Sequence, residues 1–284
     1  MHRAVAPHGE ARDDYDIFAA LAERLGLAEQ FTEGRSPREW LRLLYESTRR
    51  VLSARGIEAP DFDRFWEMGE LMLPTLPWEG GILRAFRRNP EAATLPTLSG
   101  KIEIASATIA SFGYEDCPGH PMWLAPSEGA GSPTMARFPL QLVANQPATR
   151  LHSQLDFGAT SLASKIKGRE PVRIHPQDAA ARGISDGDIV RLYNDRGACL
   201  AGAVLSEALR PGVVQLSTGA WYDPADPTAE KPLCVHGNPN VLTRDAGTSR
   251  LAQGCTGQLC LIEIERFEGP LPRVKAFDPP PGAA

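Results

Sequence analysis

The stretch from Pro171 to Pro224 constrains the fold of this chain more than any other, because its punctuation places each element in turn. Val172 to Ile174 is a short apolar run suited to a strand. Pro176 then fits the first position of a helix, where a missing N–H costs nothing, and Gly183 closes that helix in a left-handed conformation. Asp186-Gly187 turns into a strand over Ile189 to Tyr193, Asn194 to Gly197 reverses the chain, and Cys199 to Leu205 returns beside it. Arg210-Pro211-Gly212 sets Pro and Gly where a type II turn requires them, ahead of a strand at Val213 to Leu216. In this pattern Asp178, Asp186, Asp188 and Asp195 read as turn and cap residues, not as acid–base catalysts.

Two polar runs flank this unit. Leu142 to Phe157, LVANQPATRLHSQLDF, starts as an apolar strand and opens into a loop bearing Asn145, Gln146, Arg150, His152, Ser153 and Gln154. Val235 to Gln258, VHGNPNVLTRDAGTSRLAQGCTGQ, carries His236, Asn238, Asn240, Thr243, Asp245 and Gln258. So many donors and acceptors in so few residues suit the edges of a polar heterocycle and a pyrophosphate. Taken singly, Asn145 and Gln146 before Pro147 are equally turn residues, and His152 is equally a satisfied structural histidine. Lys165, Lys167 and Arg169 read as a solvated charged face in preference to a phosphate site.

Composition narrows the function classes. A net charge of -5 and a pI near 5.7 argue against nucleic acid and against an anionic membrane surface. The 284 residues, 42% of them hydrophobic, are enough for one large domain or two ordinary ones with a substantial core. Cys117, Cys199, Cys234, Cys255 and Cys260 are odd in number and contain no CxxC pair, so they read as reduced, mostly buried thiols and not as metal ligands. No apolar run approaches membrane length.

The run HPQDAAARGISDGDIVRLYNDRG followed by RPGVVQL resembles the C-terminal double-psi β-barrel module of the molybdopterin oxidoreductases. RLHSQLD, HGNPNVLT, SGKIEIAS and GAWYDP are similar, more narrowly, to the dimethyl sulfoxide, trimethylamine N-oxide and biotin sulfoxide reductase branch, and the likeness covers most of the chain. It implies an α+β fold, in which a mainly helical N-terminal portion of a larger domain (1–135) precedes a six-stranded double-psi β-barrel (136–268) and a loose tail (269–284). The implied activity is removal of an oxygen atom from an S-oxide or N-oxide at a bis(molybdopterin guanine dinucleotide) molybdenum centre. Asn145, Gln146, Arg150, His152, Ser153 and Gln154 would then hold one dinucleotide arm, with Arg150 or His152 meeting pterin or phosphate charge. His236, Asn240 and Gln258 would bond pterin nitrogens and carbonyls from the other side. The serine that ligates the metal in that branch has no counterpart here, and Ser153 reads as a hydrogen-bonding hydroxyl. No residue of this chain is therefore expected to be catalytic or to bind the metal. The remaining polypeptide is the implied partner, and the cytoplasm the implied compartment, or the periplasm if a leader preceded Met1. A free-standing double-psi binding module and an inactive relic stay open as alternatives.

The first third reads as helical. Asp13 or Asp14 starts a helix with Ile17, Phe18, Leu21 and Leu25 on one face, ending at Gly26. Ser36-Pro37-Arg38-Glu39 is a capping box with Pro in the first turn, opening a helix to Gly56 whose stripe is Trp40, Leu41, Leu44, Val51 and Leu52. Asp61 to Leu73 is a third candidate, its Phe62, Phe65, Trp66 and Met72 reading as core. Pro74 to Ser99, with Trp78 and Glu79, is irregular. Gly100 to Ser111 begins as an alternating strand with Ile102 and Ile104 on one face. Cys117 to Phe138 is a linker rich in Pro, Gly and Ser.

Overall fold

The computed structural model describes residues 5–75, 81, 83–254 and 259–279. The chain divides into two compact units, Met1–Leu95 and Pro96–Ala284. Trp78, Glu79, Cys255 and Gln258 lie outside the described residues.

The first unit contains helices α1 (Asp14–Arg24), α2 (Ala28–Thr32), α3 (Pro37–Ala54), α4 (Phe62–Met68) and α5 (Arg84–Arg88). The expected capping box is formed: the Ser36 side chain accepts from the Glu39 N–H, and Glu39 Oε2 accepts from the Ser36 N–H at 2.7 Å. Behind α3, Tyr45 stacks on Phe65 with centroids 4.4 Å apart, packs against Phe62, and donates its hydroxyl to the Pro60 carbonyl at 2.7 Å. Phe62 is 1% exposed, as a core residue should be, whereas Met72 is 83% exposed. Helix α4 stops well before Leu73 because Gly69 turns left-handed at φ 78° and ends the hydrogen-bonded ladder. Of the stripe read along α3 only Leu52 is buried, while Leu41, Leu44 and Val51 stay exposed, as do Ile17, Phe18, Leu21 and Leu25 on and just after α1.

The second unit is built on strands β1 (Leu140–Val143), β2 (Pro171–Ile174), β3 (Ile189–Tyr193), β4 (Ala198–Leu205), β5 (Val213–Leu216), β6 (Leu233–Cys234) and β7 (Leu259–Arg266). The hydrogen-bonded order is β2-β5-β1-β7-β3-β4, and a parallel β2–β4 pairing closes these six into a barrel, with β6 added beside β4. The expected six-stranded double-psi barrel is thus present. Helices α6 (Ala107–Ala110), α7 (Ala159–Ser164) and α8 (Pro176–Ala180) complete the unit, α8 where Pro176 places it. Strands β1, β2 and β5 alternate between buried and less buried positions, the period expected when one face looks into a closed core. Leu142, Ile174, Leu192, Leu216 and Ile262 meet in that core, each removed from water and each contributing about 1.5–3 kcal/mol of hydrophobic stabilisation. Strand β4 differs, its first six residues being buried on both faces. A second cluster explains this, in which Ile189, Leu200 and Val235 are covered from outside by Ile166, Phe267 and Val274.

Three expectations need correction. No strand forms at Gly100 to Ser111; the chain there is irregular and then helical from Ala107, capped by the Ser106 side chain accepting from the Ile109 N–H. Ile102 and Ile104 are 62% and 78% exposed, so the alternation had no buried face to line. The part of the tail from Pro272 to Ala276 is held to the barrel unit: Arg169 donates to the Pro272 carbonyl, and the Lys275 and Ala276 N–H groups both donate to Asp223 Oδ2. Nor is Cys117 to Phe138 a plain spacer. Glu128 accepts both terminal nitrogens of Arg196, at 2.6 and 2.8 Å, and the Leu261 N–H at 3.0 Å, which ties that segment to the barrel. No helix among the described residues is long and apolar enough to cross a membrane.

Leu192→Ala removes a fully buried side chain from β3 without changing a hydrogen bond. It should lower the stability of the barrel by about 2–5 kcal/mol, measured as a fall in the urea midpoint of the β signal in circular dichroism.

Candidate functional site

Three loops of the barrel unit line a cleft of about 510 Å³. His152 and Ser153 come from the loop after β1, Thr218 to Tyr222 from the loop after β5, and Asn238 and Asn240 from the loop after β6. The first two loops touch through backbone. Gly219, at φ 89°, has no room for a side chain, since a Cβ there would sit 2.0 Å from the His152 carbonyl oxygen. The Trp221 indole N–H donates to the Ser153 carbonyl at 2.8 Å, and the Thr218 N–H donates to the Asn145 carbonyl at 2.9 Å. His152 and Leu155 hold left-handed conformations at φ 51° and 59°, a strain of order 1–3 kcal/mol each that surrounding contacts must offset.

A buried ionic network holds the His152 carbonyl and the turn at Thr218. Arg150, Asp156, Lys165 and Glu170 have side chains between 0% and 3% exposed. Lys165 Nζ lies 2.8 Å from Asp156 Oδ1 and 3.0 Å from Glu170 Oε2, while Arg150 Nη1 lies 3.1 Å from Glu170 Oε2. Two cations and two carboxylates balance to zero, and Arg150 and Asp156 also meet neutral partners. Arg150 donates to the carbonyls of His152 (3.0 Å) and Thr218 (2.9 Å), and Asp156 Oδ2 accepts the Trp221 N–H at 3.0 Å. Burial alone would raise the Asp156 carboxyl. The hydrogen bond from Lys165 and the Trp221 N–H, aided by the Lys165 and Arg150 charges, outweigh it and hold the group below its ordinary range.

His236 completes the underside. Its Nδ1 lies 2.9 Å from the Trp221 carbonyl, its ring stands edge-on to Phe277 with centroids 5.0 Å apart, and its Nε2 is buried with no partner among the described residues. Burial first, and then the Lys165 charge, push its imidazole below the usual histidine range.

The predicted residues thus fall into two groups. His152, Ser153 and Asn240 face the cleft, and Gln146 packs on His152 with Nε2 3.0 Å from Nδ1. Asn145 braces the floor, its Oδ1 accepting from Ser217 at 3.2 Å, and Gln154 is exposed on the same loop. Arg150 and His236 are buried below the cleft, and the nitrogens of Arg150 are taken up by protein acceptors. Lys165 and Arg169, read as solvated, are buried as well, because Lys165 pairs inside the network and Arg169 donates to backbone carbonyls. GAWYDP, singled out by its resemblance, supplies Gly219 to Tyr222, whereas Asp156, Glu170 and Thr218 escaped the sequence reading, and no local spacing signals that they meet Lys165 or the cleft. Cys199, Cys234 and Cys260 are buried in the barrel core; burial pushes the Cys260 thiol up to about 11 and, with the neighbouring thiols, raises Cys199 as well.

Lys165→Met leaves Asp156 and Glu170 sharing one cation and should cost about 3–5 kcal/mol, seen as a lower urea midpoint. Acid should act in one direction through two groups. Below the ordinary value of 6.5 the unfolded His236 ring takes up a proton that the folded one resists, so stability falls as pH falls. Asp156 contributes fully above its ordinary value of 3.8 and loses that contribution as pH drops through its lower folded value. The melting temperature should therefore decline in two stages on acidification, and Asp156→Asn should flatten the lower one.

Residues 140–261 match the molydopterin dinucleotide binding domain. The chain is 45% identical over 284 residues to the dimethyl sulfoxide/trimethylamine N-oxide reductase of Cereibacter sphaeroides, covering 100% of this chain and 34% of the relative. It is 47% identical over 290 residues to the trimethylamine-N-oxide reductase of Haemophilus influenzae (99% and 34%) and 47% over 270 residues to the biotin sulfoxide reductase of C. sphaeroides (95% and 36%). It therefore spans about a third of the length of the curated relatives it matches. The solved structure of acetylene hydratase from Pelobacter acetylenicus superposes with a TM-score of 0.63 at 19% identity, over 94% of this chain and 34% of that one, a likeness of fold. Barrel, polar loops and identity along the whole length agree: the chain carries a molydopterin dinucleotide binding domain and is similar throughout to about a third of the dimethyl sulfoxide, trimethylamine N-oxide and biotin sulfoxide reductases.

Proposed function

We propose that the cleft seats one arm of a bis(molybdopterin guanine dinucleotide) molybdenum centre, in a reductase that takes the oxygen atom from an S-oxide or N-oxide. One observation carries this reading: two polar runs far apart in sequence, around Ser153 and around Asn240, form the walls of a single cleft over Gly219. The cleft suits such a ligand in size and chemistry. Its volume lies in the usual range for small-molecule sites, and the Ser153 and Thr218 hydroxyls and the Asn238 and Asn240 amides offer the mixed donors and acceptors that a pterin or guanine edge requires. Trp221 and Tyr222, 36% and 49% exposed, supply flat apolar surface beside them.

In this reading Asn240, Ser153 and His152 contact the cofactor directly, Gln146 orients the His152 ring, and Asn145 and Gln154 shape the loop. Gln258 keeps the pterin-bonding role that its sequence implies. Arg150 and His236 act from below, by fixing the loop and the Trp221 backbone, since their own polar groups face protein. The cofactor, when bound, supplies the redox chemistry, and this chain's residues bind and orient it. The remaining polypeptide of the reductase is the natural partner, carrying the metal ligand and the substrate funnel. The buried thiols suit a reducing compartment such as the cytoplasm.

The test is purification of the full chain from a host that makes molybdenum cofactor, with and without the remaining polypeptide, followed by molybdenum analysis and assay of guanine nucleotide released by acid. Both should be present in the complex, and Asn240→Ala combined with Ser153→Ala should lower the nucleotide content roughly tenfold, as expected for about 1.4 kcal/mol of lost hydrogen bonding. Absence of guanine nucleotide under every condition would overturn the assignment.

A further inference from the structure

The aromatic wall of the cleft is not held by the cleft loops alone. Trp221 meets Phe157 with centroids 5.7 Å apart at 64°, and also meets Phe277 at 5.4 Å and 67°. Phe277 in turn stands against His236 at 5.0 Å and 89°, and His236 reaches back to the Trp221 carbonyl. Phe277 therefore touches Trp221 twice, once ring to ring and once through the histidine that bonds its backbone.

The segment bearing Phe277 is fastened at several points. Val274 packs into the cluster with Leu200 and Val235, Arg169 holds the Pro272 carbonyl, and Asp223, 3% exposed, accepts the Lys275 and Ala276 N–H groups. Asp223 is two residues beyond Trp221, and its own carbonyl accepts the Val235 N–H at 2.8 Å. The 272–277 segment is thus bonded to the loop carrying Trp221 and Tyr222 and packed, through Val274 and Phe277, on Val235 and His236 of the loop leading into Asn238.

We propose that Phe277 is a positioning residue for the cleft: the 272–277 segment straps the outer side of the Trp221–Asp223 turn and sets the wall against which the ligand's ring lies. The ligand in this statement rests on the cofactor reading above; the strap itself does not. An aromatic ring is required at 277 because edge-to-face contact with both Trp221 and His236 needs a flat group with a polarised edge. Removing it leaves a gap beside the indole and frees the turn to move away from Ser153.

The test uses the full chain, with Phe277→Ala and Phe277→Tyr, and two readouts. In hydrogen–deuterium exchange, Phe277→Ala should raise uptake in the 217–224 region at least severalfold while β1, β3 and β7 stay protected, and Phe277→Tyr should restore the original protection. In titration with guanosine diphosphate, a probe carrying the guanine half of the dinucleotide, Phe277→Ala should weaken binding about fivefold or more and Phe277→Tyr should recover it. Unchanged exchange at 217–224 in Phe277→Ala would overturn the strap. So would exchange raised equally throughout the barrel, which is the mark of general destabilisation, or a loss that Phe277→Tyr does not reverse. Should the full chain fail to bind the nucleotide while Phe277→Ala still loosens 217–224 reversibly, the strap stands and the cofactor reading is what fails.

Discussion

The charge-balanced group of Arg150, Asp156, Lys165 and Glu170 is the constraint on which the site depends. Buried ions are costly, and a pair of this kind is stable only when partners satisfy every charge. Here the satisfaction is mutual and leads outward: Arg150 reaches the carbonyls of His152 and Thr218, and Asp156 reaches the Trp221 N–H. Each of those backbone groups belongs to a loop that lines the cleft. The network therefore converts the energetic demand of buried charge into fixed loop positions, including that of left-handed His152, whose carbonyl Arg150 holds.

Such an arrangement also sets the electrostatics of the cleft. Because the four buried charges cancel, the basic side chains among them present no net positive field, and the cleft is lined by amides, hydroxyls, an imidazole and two aromatic rings. A site of this kind discriminates by hydrogen-bond pattern and shape more than by charge. That suits the edge of a ring system better than an isolated phosphate.

The barrel provides the rigid base. Closed through the β2–β4 pairing, it carries the loops that line the cleft, and the double burial of β4 shows how closely the flanking segments wrap the outside. The segment around Phe277 contributes to both tasks at once, covering Leu200 through Val274 and bracing Trp221 through its ring. In the first unit the pattern is different. Its capped helices bury Tyr45 and Phe62 between them yet leave the stripe of α1 exposed.

Local chemistry was legible in the sequence. Pro176, the turn glycines and the Ser36–Glu39 box act within a few residues, so their elements, α8, β3, β5 and α3, stand where the letters place them. The polar runs were legible for the same reason, as dense local clusters of donors and acceptors. What the letters could not carry was any decision made between distant segments. Alternation at Ile102 and Ile104 looks like a strand until no neighbour offers a ladder, and the proline-rich end looks loose until Asp223 accepts its N–H groups. Lys165 and Arg150 look like surface or ligand-binding cations until tertiary structure sets two carboxylates beside them. Sequence alone determined the elements and the kind of chemistry in the loops, because propensity and capping are short-range. Only the tertiary structure decided which polar groups face the cleft and which are spent on each other, because pairing and burial depend on segments that meet through the closed barrel.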